Sequence, residues 1–115
     1  MITTIYHNPN CSKSRQTLAL LQGRGIEPRI IEYLKTSPDP EEIRELLARL
    51  ELPARALVRS GEKAYGERDL DGAEEDELVT AMSEDPRLIQ RPIVVHGPRA
   101  RLGRPPERIL ELFDD

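Results

Sequence analysis

A chain of 115 residues with a net charge of −4 has the size of one domain and is not built for general nucleic-acid binding. No run reaches the roughly 18 apolar residues that cross a membrane, and the opening "MITTIYHNP" lacks the basic region and apolar run of a secretory signal. The single cysteine excludes an internal disulfide and fits a reducing compartment, the cytoplasm.

Ile2 to Tyr6, "ITTIY", is β-branched and aromatic and predicts a short strand. "HNPN" is turn chemistry. From Ser12 a helix is expected, with Leu18, Ala19, Leu20 and Leu21 on or near its buried face and "GRG" at Gly23 to Gly25 ending it. "RIIEYL", Arg29 to Leu34, predicts a second strand. Strand, helix and strand in the first third make a βαβ unit with parallel strands.

"SPDPEEIRELLARL" predicts a helix. Asp39 can cap it, Pro40 suits its first turn, and Glu42 completes a capping-box pattern. Ile43, Leu46, Leu47 and Leu50 form its buried stripe. A short helix is expected from Pro53 to Val58. Another is expected from Glu74 to Ser83, with Leu78, Ala81 and Met82 on one face and a stop before Pro86. The block from about Pro38 to Gln90 is therefore helical. Ile93 to Val95 then predicts a strand, "HGP" a turn, and Arg99 to Leu102 the antiparallel partner. His96, in that turn, is expected to be solvent-exposed and not catalytic. "RPPERILELF" closes the chain as a helix with Ile109, Leu112 and Phe113 facing in. The pattern predicts one α/β domain, residues 1–115, with a mixed four-stranded sheet.

Cys11 stands where the first turn gives way to a helix. The first N–H groups of a helix have no partner inside it, and the helix dipole puts partial positive charge there. A thiolate at that point is stabilised and its pKa falls. A bound oxyanion could use the same donors. Ser12 to Arg15 add two hydroxyls and two cations, and a protonated His7 would add charge across the loop. A lone cysteine is commonly a packed small hydrophobe, but Asn10 and Ser12 flank this one, which favours a reactive thiol. One Cys and two distant His fall short of the three or four ligands of a metal site.

The spacing of a redox C-x-x-C motif reads Cys-Ser-Lys-Ser here, with Ser14 in the second place. Cys11 therefore has no internal resolving partner, and a redox cycle needs an outside thiol. Arginine dominates the cations, 14 of the 17 basic residues. Most are expected in surface ion pairs. Function is expected only of the few that sit at unusual places, since site residues concentrate at loop positions.

Four stretches together resemble the glutaredoxin-dependent arsenate reductases: "YHNPNCSKSR" at Tyr6 to Arg15, "ARALVR" at Ala54 to Arg59, "RPIVV" at Arg91 to Val95, and "RLGRPPE" at Arg101 to Glu107. The resemblance covers nearly the whole chain, and length and "CSKSR" look most like a compact branch of that family. It implies a thioredoxin/glutaredoxin-like fold with a helical insertion at about 38–90. It implies that Cys11 attacks arsenate and that His7 helps activate the thiol. Arg59, Arg91 and Arg104 would bind the oxyanion, Ser14 would line the active-site loop, and Pro92 would be a cis-proline beside the thiol. Three guanidinium forks suit an arsenate anion, which would otherwise repel a thiolate.

The implied cycle begins with attack of the Cys11 thiolate on arsenic(V) and loss of water or hydroxide. Glutathione then attacks the adduct and supplies electrons, glutaredoxin resolves the mixed disulfide, and arsenite leaves. No bound metal or nucleotide cofactor is expected. Transcription regulators of the Spx type share this fold and grip RNA polymerase. The absence of C-x-x-C and the presence of three candidate oxyanion arginines favour the enzyme. A thiol oxidoreductase with another substrate is the remaining alternative.

Overall fold

β-Branched residues at the start of the chain form β1 (Thr3–Tyr6) in the computed structural model, which describes residues 2–113. The chain then reverses direction. Asn10 N–H donates to Asn8 Oδ1 and Cys11 N–H to Asn8 O, each at 3.0 Å, so a side-chain turn replaces the lost sheet pairing. Helix α1 (Ser12–Gly23) follows, and β2 (Arg29–Ile31) returns parallel to β1 with Ile5 opposite Ile30. The second strand is three residues shorter than "RIIEYL" predicts. Its partner has already turned away at Asn8, and the last cross-strand bond is His7 N–H to Ile31 O at 2.8 Å.

The end of the chain supplies β3 (Ile93–His96) and β4 (Arg99–Leu102), joined by a two-residue turn with Gly97 at φ 60°. That conformation costs little without a Cβ. Both pairings are antiparallel, β1 with β3 and β3 with β4, so the sheet order is β2-β1-β3-β4. His96 is half-buried rather than exposed, because strand β3 continues through it. Register places it opposite Thr3, whose Oγ1 lies 2.9 Å from its Nδ1, and its ring packs on Phe113 with centroids 4.6 Å apart.

The last element is a 3-10 helix, Pro106–Leu112, not the α-helix expected. Its apolar spacing explains the choice. Pro106, Ile109 and Leu112 recur every third residue and all are buried, and three residues per turn put them on one face. Ile109 and Leu112 join Ile5, Leu21 and Val94 in the core of this unit, with Leu18, Ile26, Leu110 and Phe113 packed around them.

Two compact units emerge: residues 2–33 with 91–113, which hold the sheet, and Leu34–Gln90. In the helical unit, α2 (Pro40–Leu50) buries Ile43, Leu46, Leu47 and Leu50, the stripe its periodicity predicts. Asp39 caps it, with Oδ1 accepting from Glu42 N–H at 2.8 Å. Helices α3 (Ala54–Leu57), α4 (Lys63–Glu67) and α5 (Glu75–Glu84) and a 3-10 turn (Pro86–Leu88) complete it. Arg55 ties α3 to α4 through Tyr65 Oη at 2.7 Å, and to the loop before α5 through Leu70 O at 3.1 Å and Ala73 O at 2.8 Å. No helix among the described residues is long and apolar enough to cross a membrane.

Candidate active site

The buried face of α1 keeps Leu21, with Leu18 packed against the core, as its sequence suggests, but adds hydroxyls that hydropathy does not indicate. Ser14, Thr17 and Leu21 are its buried residues, so two hydroxyls point inward directly after the cysteine. Buried hydroxyls need partners, and both find them. Thr17 Oγ1 donates to Lys13 O at 2.8 Å. Ser14 Oγ accepts from Asn8 N–H at 3.0 Å and lies 2.5 Å from His7 Nδ1. The turn, the end of β1 and the first turn of α1 are thereby fastened to one another around Cys11.

Cys11 is the N-cap residue of α1, in extended conformation at φ −102°, ψ 123°, and its side chain is half-exposed. Its pKa is lowered. Burial pushes the thiol up, but the Ser14 N–H, the Arg91 guanidinium and the Lys13 N–H together outweigh it. This is the helix-start effect expected from the sequence, with a guanidinium added from another part of the chain.

His7 is 6% exposed, and its pKa is lowered, chiefly by burial; Glu32 opposes the shift and Arg15 adds to it. The imidazole is therefore neutral near pH 7, so it does not supply the positive charge that a protonated ring would bring. It acts on the loop through its contact with Ser14.

Arg91 comes from the segment just before β3 and Arg104 from the segment after β4. Arg104 donates from Nη1 to Arg91 O at 3.1 Å, which brings the two segments together. The Arg91–Pro92 peptide bond is cis, and so is Arg104–Pro105, for which the sequence carries no separate signal. Arg91 Nε is buried and has no hydrogen-bond partner among the described residues. A buried unpaired donor is costly unless something accepts from it. Arg59 belongs to the helical unit. Its N–H donates to Leu88 O at 2.7 Å, and its guanidinium pairs with Glu62 at 3.1 Å. The structure thus gathers Cys11, His7, Ser14, Arg91, Pro92 and Arg104 in the sheet unit, and sets Arg59 at the end of α3. Among the described residues no group of three His, Cys, Asp or Glu could hold a metal ion.

A cysteine at the first turn of a helix, laid on a mixed four-stranded sheet of this order, defines a thioredoxin-like protein. Residues 6–112 match the ArsC family, and the chain belongs to it. It is 48% identical over 111 residues to YfgD, an uncharacterized protein of Escherichia coli K12, covering 94% of this chain and 93% of that one. It is 43% identical to the arsenate reductase of Haemophilus influenzae, over 98% of this chain and all of that one. Among solved structures, the arsenate reductase from Vibrio cholerae matches with 51% identity and a TM-score of 0.94, covering 97% of this chain and 98% of that one.

Proposed function

We propose that this protein reduces arsenate to arsenite, with Cys11 as the nucleophile. One observation carries the reading: a thiol with a lowered pKa stands beside Arg91, whose buried Nε–H has no partner among the described residues. A nucleophile and an unused cationic donor at one point suit an anionic electrophile. The arsenate reductases among the relatives support arsenate as that anion.

In this reading Arg91, Arg104 and Arg59 neutralise and orient the oxyanion by forked hydrogen bonds, and His7 and Ser14 hold the loop that carries the thiol. Attack of the Cys11 thiolate on arsenic forms a sulfur–arsenic bond and releases hydroxide or water. Reduction of arsenic(V) to arsenic(III) takes two electrons, which two thiols supply on becoming one disulfide. Cys11 is the only thiol of the chain, so at least one must come from outside. Glutathione and glutaredoxin are the proposed donors, in the reducing cytoplasm, with no resident cofactor.

The test is NADPH consumption with arsenate, glutathione, glutathione reductase and glutaredoxin. Arsenate-dependent oxidation is expected with the native protein and not with Cys11→Ser. Equal rates for the two proteins would overturn the assignment.

A further inference from the structure

Gly103 is buried where three parts of the site meet. A Cβ at this position would lie 2.5 Å from Thr17 Oγ1, 3.2 Å from Thr17 Cγ2 and 2.8 Å from Pro92 Cγ. Two of these contacts fall far inside van der Waals separation. Neither neighbour is free to retreat. Thr17 is fully buried, and its hydroxyl is held by Lys13 O at 2.8 Å. Pro92 is a buried ring whose carbonyl accepts from Gly103 N–H at 2.9 Å.

Each of the three has a site residue next to it. Thr17 stands one turn along α1 from Lys13 and Ser14, whose N–H groups face the thiol. Pro92 follows Arg91. Gly103 precedes Arg104, which reaches back to Arg91 O at 3.1 Å. We infer that Gly103 is a positioning residue: its bare Cα sets how closely the two arginine-bearing segments approach the helix that carries Cys11. A side chain here would separate Arg91 and Arg104 from the thiol without altering a group that touches substrate. The inference rests on the reading of Arg91 and Arg104 as oxyanion ligands.

The experiment compares the native protein with Gly103→Ala and Gly103→Ala/Thr17→Ala. Its readouts are the urea midpoint, the pH dependence of Cys11 alkylation by iodoacetamide, and KM and kcat for arsenate. Displacement by about 1 Å can cost on the order of 100-fold. A roughly 10- to 100-fold rise in KM for Gly103→Ala is therefore expected, with a smaller change in kcat and an alkylation curve moved to higher pH. Thr17→Ala in that background removes both Thr17 contacts, including the shortest, but leaves Pro92 Cγ at 2.8 Å, and should restore part of both.

A folded Gly103→Ala with native KM and a native alkylation curve overturns the inference, even if it is less stable. If Gly103→Ala does not fold, the double variant decides. A native or partly shifted alkylation curve in the double variant supports the inference. A curve moved all the way to the ordinary thiol range, or failure of the double variant to fold, overturns it. If the native protein does not turn over arsenate, the functional reading fails, while the alkylation curves still decide the role of Gly103.

Discussion

His7 and Ser14 hold one another inside the site: Nδ1 and Oγ lie 2.5 Å apart, and both side chains are buried. The hydroxyl also accepts from Asn8 N–H, which leaves its proton free for the imidazole, the arrangement a neutral ring accepts. Sequence spacing presents Ser14 as the place of a missing second cysteine. The structure gives the hydroxyl work of its own, since sulfur donates and accepts hydrogen bonds only weakly. Ser14→Ala leaves a buried imidazole nitrogen and a backbone N–H without their partner. A loss of about 1–3 kcal/mol is expected, read from urea unfolding. A change within a few tenths of a kcal/mol would show that the pair contributes nothing to holding the loop.

His7 also gives the fold a pH dependence. Its folded pKa lies below the ordinary 6.5, chiefly because burial disfavours the charged ring. The unfolded chain therefore binds this proton at a pH where the folded protein still refuses it. Stability from this group is fully present above 6.5, falls as the pH drops from there to the lower folded value, and is flat below it. Urea midpoints measured across that window should decline with falling pH, and His7→Gln should remove this part of the slope. An unchanged slope in the variant would assign the decline to other groups.

Arg91 should govern the reactivity of the thiol. Burial raises the Cys11 pKa; the Ser14 N–H, Arg91 and the Lys13 N–H bring it below the ordinary value. Arg91→Ala removes one of these supports and leaves both backbone donors. The alkylation curve of Cys11 should therefore move toward the ordinary thiol range. Arg91→Lys, which keeps the charge and loses the fork, should fall between. A curve for Arg91→Ala that overlays the native one would place the whole effect on the helix start.

How much of this was legible beforehand follows from the range of the interactions. The α2 stripe of Ile43, Leu46, Leu47 and Leu50 and its Asp39 cap depend on neighbours in sequence, and both are as the pattern indicates. The placement of Cys11 at a helix start is local in the same way. The burial of Thr17 is not, because Gly103 from the far end of the chain stands against it, and hydropathy alone ranks Leu18 and Leu20 above Ser14 and Thr17. The last helix had a readable signal, an apolar period of three at Pro106, Ile109 and Leu112, which indicates a 3-10 helix over an α-helix. Gly103 carried no signal, since nothing in "RLGRPPE" says that Thr17 stands opposite.

Arg59 is already paired. Its Nη1 lies 3.1 Å from Glu62 Oε2, and the two side chains are 28% and 25% exposed. The carboxylate occupies part of the fork that an oxyanion needs, and it carries the same sign of charge as arsenate. If Arg59 binds the oxyanion, substrate must compete with Glu62 for it. Glu62→Gln keeps the shape and removes the charge. Partly exposed pairs of this kind are worth roughly 0.2–1 kcal/mol, so KM for arsenate should fall by about 1.5- to 5-fold, with kcat little changed. Arg59→Ala should raise KM, and adding Glu62→Gln to it should then have no further effect. A Glu62→Gln variant with a raised KM would mean that the carboxylate holds Arg59 in its working position and does not compete with the substrate.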